Sequence, residues 1–174
     1  MLGPGEVRHG GAGLTVIGGH KSTAAQLEEV AGLFRLAGFK TQLSDAIGGW
    51  VWGKLVTSAG INPLSALLDV PNGVLVENEP ARAALHRTVG EAARIAAARG
   101  LCLPYTNPIR QVEEVCRATA TNLSSMLQDL RCGRPTEADA INGAIVRTAA
   151  ALGLEAPVNA LLWHLVKARE TLPL

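Results

Sequence analysis

Three polar side chains recur at four-residue intervals in one segment, and one of them could donate a proton. Lys54, Ser58 and Asn62 share one face of a predicted helix, with a drift of about 40° per step. A lysine on a mostly buried helix is costly without partners, and a lysine with a lowered pKa can transfer a proton to a developing alkoxide. The simpler interpretation is a lysine whose aliphatic stem covers apolar surface.

A second segment, from Asn122 to Glu137, combines hydroxyls, a helix start and a carboxylate. Ser124 or Asn122 can cap a helix that opens at Ser125, and the free N–H groups of its first turn favour an anion such as a substrate carboxylate. Thr136 is predicted to cap the next helix and to place Glu137 in its first turn, where the helix dipole favours the ionised form. The simpler interpretation is two capped helices joined by a turn.

Composition limits the class of protein. The 174 residues suffice for one buried core and at most a fragment of a second domain, and 48% hydrophobic with 18% charged residues indicates a folded chain. With 16 basic and 15 acidic side chains the net charge is +1, which leaves no basic surface for a phosphate backbone. We therefore expect no nucleic-acid partner.

Neither a membrane span nor a metal site is indicated. No apolar run approaches the roughly 20 residues that cross a bilayer, and the first residues lack the features of a secretion signal, so we expect a cytoplasmic protein. The histidines show no ligand spacing with cysteines or acids. Three widely spaced cysteines fit reduced thiols better than a disulfide framework. They are Cys102, Cys116 and Cys132.

Periodicity predicts a short α/β segment followed by helices. Residues 5–9 and 14–18 read as a β-hairpin, residues after Ser22 or Thr23 to about Ala37 as a helix, and residues 39–44 as a third strand. Further helices are predicted at about 46–60, 80–99, 106–120, 125–131, 137–152 and 158–170. We place the boundary near Gly48, giving an α/β remnant at 1–48 and a helical domain at 49–174. The fold class is mainly α.

The order of these motifs resembles a known family. Lys54 is followed by Asn62-Pro-Leu, Pro71-Asn-Gly, the segment from Asn122 to Asp129, Thr136-Glu137 and Ile141-Asn-Gly. This series resembles the C-terminal domain of ketopantoate reductase (2-dehydropantoate 2-reductase). The resemblance implies an all-helical domain of the ketopantoate reductase and 6-phosphogluconate dehydrogenase type. It also implies reduction of an α-keto acid to a 2-hydroxy acid with NADPH, a step of pantothenate biosynthesis.

The resemblance also implies roles for individual residues. Lys54 matches the general acid that protonates the oxygen of the reduced carbonyl, and Glu137 the acidic residue at the substrate hydroxyl and the lysine. Asn62 matches an asparagine that binds the substrate, and Ser125 a serine that holds its carboxylate. The first two are the predicted catalytic residues.

Three further positions complete the predicted substrate site. Asn72 and Asn122 match asparagines near the pocket, with less defined roles. Ser58 stands where the family usually has an asparagine, and its shorter side chain orients Lys54 less firmly, which leaves open the identity of the keto acid.

The dinucleotide-binding half of the family has no counterpart here, because no strand followed by G-x-G-x-x-G and a helix occurs. The first 48 residues resemble only the last part of that half, so the NADP-binding residues are unknown and we expect no turnover by this chain alone. The alternative function is a non-catalytic helical module that self-associates or binds a partner through an uncovered apolar surface. A homodimer is possible in either case.

Overall fold

A computed structural model of the chain describes residues 3, 5, 6, 13–19 and 22–172. These residues are mainly helical, as predicted. They form the strands β1 (Thr15–Ile17) and β2 (Thr41–Leu43) and the helices α1 (Ala24–Leu36), α2 (Ile47–Leu68), α3 (Val74–Glu77), α4 (Glu79–Ala98), α5 (Pro108–Ala118), α6 (Ser125–Arg131), α7 (Asn142–Ala151) and α8 (Pro157–Thr171). The chain divides into two compact units, Met1–Trp50 and Val51–Leu174.

The first unit contains a β-α-β element. β1 pairs in parallel with β2, with Thr15 opposite Thr41, and α1 connects them. The Thr23 hydroxyl caps α1 in a capping box with Gln26, and Gly38 follows the helix at φ +86°, a conformation that suits glycine. The predicted hairpin requires residues 5–9 as its first strand, and residues 7–9 lie outside the described part of the chain.

The second unit is helical and contains the hydrophobic core. Side chains of α2, α4, α5, α6, α7 and α8 contribute to one buried cluster. Gly60 of α2 lies directly against α4, because a Cβ atom placed there would be 2.7 Å from Cγ2 of Val89 and 3.0 Å from Cδ1 of Leu85. A glycine at this position lets the two helices pack closely.

α2 continues beyond its predicted end near residue 60 because the structure accommodates Pro63 within the helix. A proline has no N–H to donate to the carbonyl four residues earlier, which here is the carbonyl of Ala59. The buried side chain of Asn142 supplies the missing donor: its Nδ2 lies 3.2 Å from the Ala59 oxygen. A side chain from α7 therefore replaces the backbone N–H donor that α2 lacks at Pro63.

The same asparagine begins a buried polar network. Asn142 Nδ2 also donates to Oδ1 of Asn159 at 3.0 Å, and Asn159 Nδ2 donates to Glu91 Oε2 at 2.7 Å. Glu91 in turn accepts the backbone N–H groups of Val158 (3.1 Å) and Asn159 (2.8 Å), which open α8. Since Ala156, at the N-cap of α8, makes no side-chain cap, a carboxylate of α4 performs that role.

Two helical elements differ from the prediction. α7 begins at Asn142 rather than near 137, and residues 137–141 form turns, so Glu137 does not lie in a first helical turn. The short α3 was not predicted, and it follows Gly73, whose added Cβ would lie 2.8 Å from Cβ of Ala120. Both differences reflect contacts with residues distant in sequence.

None of the helices in the described ranges is both long and apolar enough to cross a bilayer. Likewise, no cluster of histidine, cysteine, aspartate and glutamate side chains suited to a metal ion occurs among these residues.

We expect Asn142→Ala to destabilise the chain strongly. It leaves the Ala59 carbonyl and Asn159 Oδ1 without a donor, and since each unmet buried acceptor costs about 1–3 kcal/mol, the free energy of unfolding should fall by about 3 kcal/mol. Urea denaturation measures this loss.

The matched control is the same substitution in a Pro63→Ala background. There residue 63 regains an N–H for the Ala59 carbonyl, so the loss caused by Asn142→Ala should shrink by about 1 kcal/mol. If Asn142→Ala lowered the free energy of unfolding equally in both backgrounds, Asn142 would not be the donor that replaces the missing N–H of Pro63.

Candidate functional site

The structure brings three of the predicted site residues into one cavity. Lys54 and Ser58, one turn apart on α2, line it together with Glu137 from the turn before α7. The cavity measures about 290 Å³. Its remaining lining is apolar and consists of Val51, Leu55, Ala140 and Ile141.

The cavity contains a cation and a carboxylate, neither of which is engaged elsewhere. Within the described ranges, the amine of Lys54 and the carboxylate of Glu137 form no ion pair or side-chain hydrogen bond, with each other or with any third group. Both residues are exposed. Lys54 therefore lies on the exposed face of a helix whose residues Trp52, Val56 and Ala59 are buried, and both charges are available to a ligand.

Glu137 lies in a turn and not in the first turn of a helix, so the predicted effect of a helix dipole on its carboxylate does not apply. Its carbonyl accepts the N–H groups of Ala140 (3.0 Å) and Ile141 (2.9 Å). The Thr136 hydroxyl lies 3.2 Å from the N–H of Ala138 but donates to Glu170 of α8 at 2.6 Å. The prediction that Thr136 caps the next helix is wrong, because α7 has Ile141 at its N-cap and Thr136 instead ties the turn to α8.

The start of α6 agrees with the prediction. Ser124 is the N-cap, and its hydroxyl accepts the N–H of Leu127 at 3.1 Å. The hydroxyl of the buried Ser65 lies 2.5 Å from that of Ser124, which ties α2 to α6. The next residue, Ser125, is exposed and its hydroxyl has no partner in the described part of the chain. Because α6 has only 7 residues, the dipole at its start is weak, and we do not assign anion binding to its N-terminal N–H groups. The candidate ligand-binding group is the Ser125 hydroxyl.

The three predicted asparagines lie near this helix start. The backbone N–H of Asn72 donates to the carbonyl of Asn122 at 3.0 Å, which joins the two segments. Asn62, half-buried, accepts at its carbonyl from Ser65 at 3.2 Å. Asn72 is buried, and its Nδ2 donates to the Thr119 hydroxyl at 3.0 Å, while its Oδ1 has no partner among the described residues.

The predicted residues thus fall into two groups. The first is the cavity group of Lys54, Ser58 and Glu137, and the second consists of Asn62, Asn72, Asn122 and Ser125, none of which lines that cavity. α2 connects the groups, because Lys54 and Asn62 lie eight residues, or about 12 Å, apart along it.

Sequence reasoning missed two parts of this arrangement. Ser65, the partner of Ser124, gave no signal beyond a small polar residue in an apolar run. The apolar lining was detectable in part. Val51 and Leu55 are four residues apart and so lie on one face of α2, and Val51 lies three residues before Lys54, which places that face beside the lysine.

In dinucleotide-binding domains the pyrophosphate lies at a glycine-rich connection from a strand to a helix, and Gly18 follows β1 at such a connection. A Cβ atom added at Gly18 would collide with the carbonyl oxygen of Ser44 and lie 2.6 Å from Cβ of Ile47. This glycine therefore serves close packing against the segment after β2. The space beside Gly18 is filled by Ser44 and Ile47, so this glycine offers no place for a nucleotide pyrophosphate.

Comparison with known proteins shows one family. Residues 46–170 match the family described as ketopantoate reductase PanE/ApbA, C-terminal. The 2-dehydropantoate 2-reductase of Pyrococcus horikoshii is 39% identical over 170 residues, which cover 97% of this chain and 56% of that protein. The chain therefore spans about half the length of the curated relatives it matches.

Solved structures agree with the match. A PanE/ApbA family ketopantoate reductase from Ralstonia eutropha JMP134 has a TM-score of 0.88 at 35% identity, covering 98% of this chain and 55% of that one. D-mandelate dehydrogenase with NADH and anilino(oxo)acetate has a TM-score of 0.84 at 28% identity, covering 98% and 56%.

We expect two adjacent serines at the start of α6 to differ in their effect on stability. Ser124→Ala removes the cap of α6 and the partner of Ser65, so the free energy of unfolding should fall by about 1–2 kcal/mol. Ser125→Ala removes only an exposed hydroxyl and should change it by less than about 0.5 kcal/mol. Urea denaturation of both variants checks the pair; a larger loss for Ser125→Ala would refute this assignment of the cap.

Proposed function

We propose, from the premise that this chain belongs to the ketopantoate reductase PanE/ApbA C-terminal family, that it is the substrate-binding half of an NADPH-dependent α-keto acid reductase. The observation that carries the proposal is the meeting of Lys54 and Glu137, distant in sequence, at one cavity without other partners. We propose further that the β-α-β unit is the end of a dinucleotide-binding domain.

Reduction of a ketone needs a hydride at the carbonyl carbon and a proton at its oxygen. In this proposal the Lys54 ammonium donates the proton, since it is the cation that lines the cavity. Glu137 accepts hydrogen bonds from the lysine and from a hydroxyl of the substrate, which orients both. Charge-assisted bonds of this kind are stronger than neutral ones.

Ser125 is assigned to the substrate carboxylate because its exposed hydroxyl is not used within the described ranges. Ser58 lines the cavity beside Lys54 and offers a second hydroxyl. By their match to the family, Asn62, Asn72 and Asn122 complete the substrate site. The apolar wall of the cavity would cover the carbon skeleton of the keto acid.

The hydride would come from a nicotinamide cofactor, which the names of the relatives support: the D-mandelate dehydrogenase structure contains NADH. The space beside Gly18 is filled by Ser44 and Ile47 and offers no place for the cofactor's pyrophosphate. We therefore assign to the residues above only the proton donor and the substrate contacts, and cofactor binding to the dinucleotide-binding domain of which the β-α-β unit is the proposed end.

The names of two relatives support the proposed substrate class. One is named 2-dehydropantoate 2-reductase and another D-mandelate dehydrogenase, and both names denote chemistry at the carbon next to a carboxylate. A 2-keto acid is thus the proposed ligand, with 2-dehydropantoate as the probe to test.

We expect the chain to bind 2-dehydropantoate, and Lys54→Gln and Glu137→Gln each to weaken binding by about 10-fold or more. A charged hydrogen bond contributes about 1.5–3 kcal/mol, which corresponds to that factor. An NMR titration of the chain measures the dissociation constants.

Lys40→Gln is the matched control, since it removes the same charge from an exposed lysine that does not line the cavity. Its affinity should equal that of the parent chain. If Lys54→Gln and Lys40→Gln bind the keto acid equally well, Lys54 is not part of the substrate site.

A second candidate function is a non-catalytic interaction module. It is favoured by apolar side chains exposed on and after α1: Leu33 (63%), Leu36 (88%) and Phe39 (50%). Exposed apolar side chains in one region are typical of an interaction surface, and the partner that this candidate proposes for testing is a second copy of the chain.

For this candidate we expect sedimentation equilibrium to show a dimer that Leu33→Ser converts to monomer without changing keto-acid binding. Losing the burial of one leucine side chain should weaken the free energy of dimerisation by about 1.5–3 kcal/mol, a change that sedimentation equilibrium detects. A monomer at all concentrations that binds the keto acid through Lys54 would leave only the first candidate.

A further inference from the structure

Resting on the proposed function, we propose that Trp163, Lys167 and Glu170 of α8 are positioning residues, which hold the turn of residues 136–141 so that the Glu137 carboxylate lines the Lys54 cavity. We call these three side chains the α8 clamp. They recur at intervals of four and three residues, so they share one face of α8.

The clamp holds the turn on both sides of Glu137. Before it, Oε1 of Glu170 accepts from the backbone N–H of Thr136 at 2.9 Å and from its hydroxyl at 2.6 Å. After it, Oδ1 of Asp139 accepts from Nε1 of Trp163 at 2.7 Å. Thr136, one residue before Glu137, and Asp139, two residues after it, are thus both tied to α8.

Lys167 closes the clamp. Its Nζ lies 3.1 Å from Oδ2 of Asp139 and 2.5 Å from Oε2 of Glu170. One ammonium thereby bridges two carboxylates, one bound to the turn at Thr136 and one belonging to the turn at Asp139. Removing this cation leaves two carboxylates that repel each other on either side of Glu137.

The ionisation of these groups agrees with the geometry. The indole of Trp163 and the ammonium of Lys167 hold the pKa of Asp139 below its usual value. Burial opposes ionisation of Glu170, but the bonds from Lys167 and Thr136 outweigh it and lower its pKa. Glu170 and Asp139 raise the pKa of Lys167. All three groups are therefore charged near neutral pH.

Glu137 itself contributes nothing to the clamp. Its carboxylate has no partner in the described part of the chain, although residues on both sides of it are bound. This arrangement fixes the backbone of a residue and leaves its side chain available to a ligand. A pre-organised group of this kind binds more tightly, because less freedom is lost when the ligand arrives.

The test is a double-mutant cycle on 2-dehydropantoate binding, followed by NMR titration of the chain. We expect Lys167→Met to weaken binding on the order of 10-fold in the parent chain, because the glutamate is displaced. In a Glu137→Gln background the same substitution should have almost no further effect, since the group that it positions is already neutral.

Two further variants separate positioning from general loss of stability. Glu170→Gln keeps an acceptor for Thr136 and should retain more affinity than Glu170→Ala. Asn78→Ala removes the cap of α4, a contact outside the clamp, and should leave binding unchanged.

The outcomes are distinct. If Lys167→Met weakens binding equally with and without Glu137→Gln, the clamp does not act through Glu137 and the inference is overturned. If Glu137→Gln alone has no effect on binding while Lys167→Met has one, the assignment of Glu137 in the proposed function fails, and this inference fails with it.

Discussion

The helical unit depends on a hydrogen bond that a proline makes necessary. Pro63 leaves the Ala59 carbonyl in the interior of α2 without its helical donor, and an unmet buried carbonyl is costly. Asn142 satisfies it from the first position of α7. Because Asn142 begins the helix directly after the turn that carries Glu137, this bond also fixes how far Glu137 lies from the Lys54 face of α2.

The bond extends into a network that fixes α8 as well. Asn142 holds Asn159, and Glu91 of α4 binds both Asn159 and the opening N–H groups of α8. The Oδ1 atom of Asn142 has no partner among the described residues, so both hydrogen bonds of this side chain are donated by its Nδ2 group. α8 is therefore held at its start by the buried network, and further along it binds the turn that carries Glu137.

Local sequence signals predicted the elements whose ends are determined locally. α6 spans Ser125–Arg131 as predicted, because its cap Ser124 and the glycine after it act within a few residues. The end of α2 was wrong because the donor that accommodates Pro63 comes from α7. The predicted start of α7 near residue 137 was wrong, since residues 137–141 form turns and Thr136 is tied to Glu170 of α8. Neither partner is visible in a window of a dozen residues.

The candidate site shows the same division. The shared face of Lys54 and Ser58 follows from helical periodicity alone. That Glu137 lines the same cavity depends on tertiary packing, which only the family resemblance could indicate. Periodicity gives the relative direction of side chains on a helix but not the depth of the cleft that they line, so the exposure of Lys54 could not be read from the sequence.

The unpaired state of Lys54 and Glu137 is understandable from what surrounds them. Asp139 and Glu170, the carboxylates that belong to or bind the turn of Glu137, are already paired with Lys167, so that ammonium is not left over for Glu137. In the open cavity water solvates both free charges, and leaving them unpaired costs little. A ligand that fills the cavity displaces this water and strengthens every charge interaction inside it, because the attraction grows as the effective dielectric falls.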